Sequence, residues 1–236
     1  MAKPRILSLT PDLVALCERE TDDPGPDGRL VQQTDEEVVA KAADIDRECG
    51  GNPLWLFAYG SLIWNPEFEA VDARRATARG WHRSFSMELP RWRGSPEQPG
   101  QMMVIERGGT CHGMAFRLPD QGRQEQIYRM LYRETEYRGD FDCIRWIRAD
   151  TAEGSIRALA FWAAPSPNFP FRKLTAEETA RRIARACGHL GSNAAYLYNT
   201  VAKLEEIGIR DRNLWRLQHL VAEEIRSLTG TPGLDR

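Results

Sequence analysis

No run of apolar residues in this chain is long enough to cross a bilayer. The longest, such as LWLFAYGSLIW at residues 54–64, stop well short of the roughly 20 residues a membrane helix needs. Charge of one sign is not in excess either: 32 Lys plus Arg face 34 Asp plus Glu, a formal net charge of −2. Without a sequence-wide positive field, nucleic acid is not expected as a main partner. Cysteine is sparse, and the five present (Cys17, Cys49, Cys111, Cys143 and Cys187) form no CxxC pair and no metal-ligand spacing. They read as reduced packing residues. The four histidines (His82, His112, His189 and His219) form no recognisable dyad or metal cluster. Internal repeats and low-complexity tracts are also missing. At the N-terminus, Asp12 and Glu18 interrupt the chain before any apolar run reaches the length of a signal-peptide core, so a cytoplasmic location is expected. What remains, 42% hydrophobic and 28% charged residues over 236 positions, describes an ordinary globular chain able to bury its own core.

The pattern divides the chain into an appendage at 1–50, a main domain at 51–228 and a tail at 229–236. Within the appendage, TDDPGPDG at 21–28 is a loop, and Thr34 followed by Asp35, Glu36 and Glu37 is an N-cap leading a helix of about ten residues that ends near Gly50. From Leu54 onward, short strands are expected at 54–59, 81–89, 102–106, 111–118, 143–148 and 156–162, with Arg107-Gly108-Gly109-Thr110 joining the third and fourth as a hairpin. Ile127, Met130, Leu131, Glu134 and Tyr137 recur at helical spacing, which predicts an amphipathic helix over 122–137. Helices return in the last third, the first opening at Thr175. The fold class is α+β: a small mixed β-barrel or curved sheet flanked by helices.

Tyr59-Gly60-Ser61-Leu62 stands at the end of the first buried strand, where a Gly followed by a Ser lets the backbone turn sharply and present consecutive amides to an anion or oxyanion. The longer string LWLFAYGSLIWNPEF at 54–68 resembles the opening of the ChaC family of γ-glutamylcyclotransferases. Further similarity lies in Gly94-Ser95 with Pro99-Gly100, GMAFRLP at 113–119, Arg133-Glu134, and GSNAAYL at 191–197. Together these span about residues 54–225. The resemblance implies cleavage of glutathione, a small-molecule substrate, into 5-oxoproline and cysteinylglycine, with no metal or organic cofactor. It also puts Tyr59, Gly60, Ser61 and Leu62 in the binding loop and aligns Tyr196 with a tyrosine near the γ-glutamyl group. A monomer is expected.

In such a reaction the substrate's α-amine attacks its own γ-carbonyl, so the protein supplies an anchor, oxyanion donors and a base rather than a nucleophile. Glu134 suits the base: it falls on the apolar helix face, where partial desolvation raises a carboxylate toward the amine it must deprotonate. Resemblance adds that a glutamate after Arg is the family's catalytic acid/base. The run ETEYRGDFD departs from the family's usual continuation, and counting back from Gly139 makes Glu136 the alternative. Arg91 and Arg93 are candidates for a peptide carboxylate. Two other readings stay open: a cyclotransferase for other γ-glutamyl amides or dipeptides, and a non-catalytic regulator of a cation transport system, after an older label of the family.

Overall fold

The structure, a computed structural model, describes residues 6–165 and 171–230. Most of the expected tail lies outside them. The chain forms two compact units, one from residues up to 25, 85–103 and 170 onward, the other from 26–84 and 104–169. The first fifty residues are thus divided between them.

The second unit holds a closed barrel in the order β1-β3-β2-β4-β5. Its strands are β1 (Trp55–Ala58), β2 (Asp72–Leu89), β3 (Gly100–Arg117), β4 (Ile144–Thr151) and β5 (Gly154–Phe161), with the distal ends of β2 and β3 assigned to the first unit. β1 runs antiparallel to β3, in the register Ala58↔Met114, and parallel to β5, in the register Trp55↔Ala158. Paired on both sides, β1 is buried along its whole length, as its unbroken apolar run requires. A five-stranded barrel has a narrow interior. The core cluster accordingly sets six alanines (Ala76, Ala78, Ala115, Ala149, Ala158 and Ala160) beside Trp55, Phe57 and Trp81.

Two helices belong to this unit: α1 (Asp35–Cys49) and α2 (Arg123–Glu134). Helix α1 is longer than expected; Thr34 and Glu37 form a reciprocal capping box at its start, and Gly50 closes it in the left-handed conformation. It packs against α2, where Arg123 Nε meets Asp46 Oδ1 at 2.6 Å and Gln124 donates to Asp46 Oδ2 at 2.9 Å. The anticipated apolar face of α2 is real: Ile127, Met130 and Leu131 are fully buried.

The strand expectations need one substantial correction. Residues 102–106 and 111–117 belong to a single strand, β3, and 107–110 do not reverse the chain. Gly108 and Gly109 do have positive φ, at 105° and 69°, but lie inside the ladder, where the His82 ring meets the Gly108 carbonyl at 3.1 Å. Positive φ serves an irregularity within a strand as readily as a hairpin turn, so local pattern could not separate the two.

In the first unit, a short helix at Pro11–Ala15 contacts α4 (Asn193–Glu206) and α5 (Arg212–Thr229), and α3 (Ala176–Arg185) packs on both. Thr175 and Glu178 form a second capping box at the start of α3. The buried Asn193 side chain brackets the backbone of Gln101, accepting from its N–H at 2.7 Å and donating to its carbonyl at 3.0 Å. Glu18 accepts from both the amide and the hydroxyl of Ser192, at 2.9 and 2.7 Å, next to the start of α4.

Candidate active site

β1 delivers Tyr59 and Gly60 into a 3-10 turn at Ser61–Ile63. The first carbonyls of this turn are engaged within the segment. Gly60 O accepts from Ile63 N at 2.9 Å, and Ser61 O accepts from Trp64 N at 3.0 Å and Asn65 N at 2.8 Å. None of the described hydrogen bonds uses the N–H of Gly60, Ser61 or Leu62, as expected of the first amides of a helical turn. The Leu62 side chain is buried, which leaves its backbone as the group able to meet a ligand.

Gly60 has φ −137°, outside the positive range, so the reason for glycine here is not a left-handed backbone. Close approach is visible instead at Gly113 on β3. A Cβ placed there would lie 2.3 Å from the Ala58 carbonyl oxygen and 3.0 Å from the Phe57 ring. β1 and β3 can thus come together immediately before the turn only because position 113 has no side chain.

Glu134 is the last residue of α2, and its side chain keeps 21% exposure. Burial pushes its carboxyl above the usual range, Arg133 opposes that shift and Glu67 adds to it. The carbonyl end of α2 acts in the same direction as burial. Arg133 Nε lies 3.0 Å from Glu134 Oε1, while Arg133 Nη1 donates to the Asn65 carbonyl and lies 3.7 Å from Glu67 Oε1. Since Asn65 N is bonded to Ser61 O, one arginine connects the acid to the segment leaving the 3-10 turn.

The helix ends at Glu134, and Thr135 is extended. Glu136 is therefore not on the polar side of a helix, as continued periodicity would have it. It belongs to a strap: Gln32 Nε2 donates to Glu136 Oε1 at 3.3 Å, Gln33 N to the Glu136 carbonyl at 3.0 Å, and Glu136 N to Asp140 Oδ2 at 2.9 Å.

One unit therefore brings together Tyr59, Gly60, Ser61, Leu62 and Glu134. The Tyr59 ring packs against the barrel core cluster. Tyr196 belongs to the other unit, on α4, where it is buried with its ring edge-on to Phe85 at 6.0 Å. Arg91 differs from expectation. Its fork is already occupied by Asp23, with Nε to Oδ1 at 2.6 Å and Nη2 to Oδ2 at 2.7 Å, which holds that carboxyl far below its ordinary range. Arg93 is half-buried and reaches the Ser192 carbonyl at 3.5 Å. Among the described residues, no group of three or more His, Cys, Asp or Glu is arranged to hold a metal ion. Sequence reasoning missed Arg83, Gly113 and Asn65. For Arg83 a signal existed, since it takes an inward position between Trp81 and Phe85 on β2.

The chain is 31% identical over 186 residues to a glutathione-specific γ-glutamylcyclotransferase of Escherichia coli, covering 78% of this chain and 80% of that protein. It is 30% identical over 190 residues to γ-glutamylcyclotransferase 2-1 of Arabidopsis thaliana, covering 74% and 88%. Among solved structures, a γ-glutamyl cyclotransferase specific to glutathione from yeast superposes with a TM-score of 0.62 at 19% identity, over 73% of this chain and 96% of that one, and so shares the fold. The pattern of ChaC-like proteins matches residues 54–224, and the chain belongs to that family of enzymes.

Proposed function

We propose that this protein is a γ-glutamylcyclotransferase that converts glutathione to 5-oxoproline and cysteinylglycine. The substrate's α-amine attacks its own γ-carbonyl, the carbonyl oxygen takes up negative charge, and collapse of the tetrahedral intermediate breaks the γ-amide bond. Glu134 takes two protons in turn from the attacking nitrogen, one from the ammonium before attack and one after the new C–N bond has formed, and passes each to the departing nitrogen, which leaves as an ammonium, so the proton count closes. Backbone N–H groups of Gly60, Ser61 and Leu62 meet the oxyanion. Tyr59, at the head of the loop, contributes a hydroxyl donor for a carboxylate or the oxyanion. The nucleophile belongs to the substrate, so the step calls for no metal and no organic cofactor. A cytoplasmic enzyme fits the five cysteines, none of which forms a disulfide.

The observation that carries this reading is Glu134: a half-buried acid with a raised pKa, tied by Arg133 to the segment that leaves the turn. At reference values, moving a proton from an α-ammonium to a glutamate costs about 5 kcal/mol, and a raised carboxyl narrows that gap. Glu136 is less suited, because Gln32 already bonds its carboxylate within a surface strap.

The test is to incubate purified protein with glutathione, measure 5-oxoproline and cysteinylglycine, and repeat with Glu134→Gln. Wild type should form both products. The variant should lose about 10²–10⁴ in kcat with KM nearly unchanged, the ordinary contribution of a positioned general base. Absence of product at high enzyme concentration refutes the activity and favours the regulator, while full activity in the variant moves the base to Glu136. A panel of γ-glutamyl dipeptides measured alongside glutathione ranks the substrates.

A further inference from the structure

Arg83 carries a charge where β2 presents its apolar face. Period-two alternation sets it in line with Trp81, Phe85, Met87 and Leu89, all buried, and Arg83 itself is only 7% exposed. Taking a guanidinium out of water is costly unless its N–H groups find acceptors. Here Nε donates to the Tyr59 carbonyl at 2.7 Å, and Nη2 donates to the His112 carbonyl. One acceptor lies just beyond the end of β1 and the other on β3, both next to the closely approached Gly113.

The Tyr59–Gly60 peptide is trans, so its N–H points away from its carbonyl. Holding the Tyr59 oxygen against Arg83 consequently fixes the Gly60 N–H on the opposite side. The cation also draws electron density toward that oxygen, which makes the N–H a stronger donor. Tyr59 is the residue at which β1 gives way to the turn. Its carbonyl is therefore the point at which the barrel can set the turn's first amide.

We propose that Arg83 is a positioning residue for the reaction: it locks and polarises the Tyr59–Gly60 peptide so that the Gly60 N–H is set for the oxygen that gains charge. This rests on the cyclotransferase reading above. Because the oxygen carries its full charge only along the reaction, the polarised amide acts on kcat more than on KM.

The experiment compares wild type, Arg83→Lys and Arg83→Met in two readouts: steady-state turnover of glutathione per folded molecule, and the Gly60 amide resonance in 15N-labelled protein without substrate. In Arg83→Met, kcat should fall about tenfold or more, toward the loss seen when one oxyanion donor is deleted, with KM within about twofold. Arg83→Lys, which keeps the charge but loses the planar fork that spans two carbonyls, should lie between. The Gly60 amide should move in Arg83→Met and be partly restored in Arg83→Lys. A lower melting temperature with unchanged kcat and an unmoved Gly60 amide would reduce Arg83 to a tie between strands and overturn the proposal. Should Arg83→Met fail to fold, Arg83→Lys decides: unchanged kcat with an unmoved amide refutes it. Failure of wild type to turn over glutathione would instead overturn the cyclotransferase reading, and the Gly60 resonance would still decide whether Arg83 sets that peptide.

Discussion

Replacing Gly113 with Ala tests whether the approach of β1 to β3 holds the candidate site in place. The added Cβ would lie 2.3 Å from the Ala58 oxygen, against an ordinary carbon–oxygen contact above 3 Å, so the two strands must part by about 1 Å. The obstacle is backbone in a paired ladder, with the Phe57 ring 3.0 Å away, so no side-chain rotation relieves it. Overpacking of this kind typically costs about 1–3 kcal/mol, and a backbone clash belongs near the upper end. Gly113 lacks positive φ, so the lower chain entropy of alanine offsets part of this, by about 0.4–1 kcal/mol. A net loss of about 2 kcal/mol lowers Tm by about 4–8 °C in a chain of this size. Calorimetry on the purified variant measures it. Gly28→Ala is the control: nothing lies within 4 Å of a Cβ there and φ is not positive, so that variant should melt at or slightly above wild type. If Gly113→Ala melts within about 2 °C of Gly28→Ala, the steric argument fails. Turnover should fall with stability, because the Tyr59–Gly60 peptide shifts with Ala58.

Glu134→Gln also has a pH signature in stability. The folded carboxyl sits above its unfolded value, so its favourable contribution is complete below the unfolded pKa and is lost as pH rises through the folded one. Urea midpoints should therefore show the variant gaining on wild type from about pH 4 to pH 8; a gap that is constant or shrinks refutes a raised Glu134. In the other unit, Asn193→Ala strips partners from the buried N–H and carbonyl of Gln101 and should cost about 2–5 kcal/mol by denaturant titration, whereas a loss under about 1 kcal/mol would mean that water replaces the amide.

Much of this was readable residue by residue. The caps at Thr34 and Thr175, the apolar face of Ile127, Met130 and Leu131, and the buried run of β1 all depend on chemistry within a few positions of themselves. The Tyr59–Leu62 turn and Glu134 were legible for the same reason, one from its glycine and serine at a strand end, the other from helical spacing. Features that depend on distant partners were not. Gly108 and Gly109 look like a hairpin until the strand across from them is known, and Arg91 looks available until Asp23 is found in its fork. The end of α2 at Glu134 is set by the Gln32–Tyr137 bridge and by the Asp140 carboxylate, which accepts from Glu136 N and Tyr137 N, none of which periodicity registers.

The parallel pairing of β1 with β5 has a kinetic consequence. Trp55 finds Ala158 only after about a hundred intervening residues have been made, and bringing such distant positions together costs about 4 kcal/mol in loop entropy before any contact repays it. Until then Trp-Leu-Phe-Ala is an adhesive ribbon with an unpaired flank. The peptide that proposes to receive the oxyanion leaves this ribbon directly, so catalytic competence should arrive with barrel closure, late in folding and all at once.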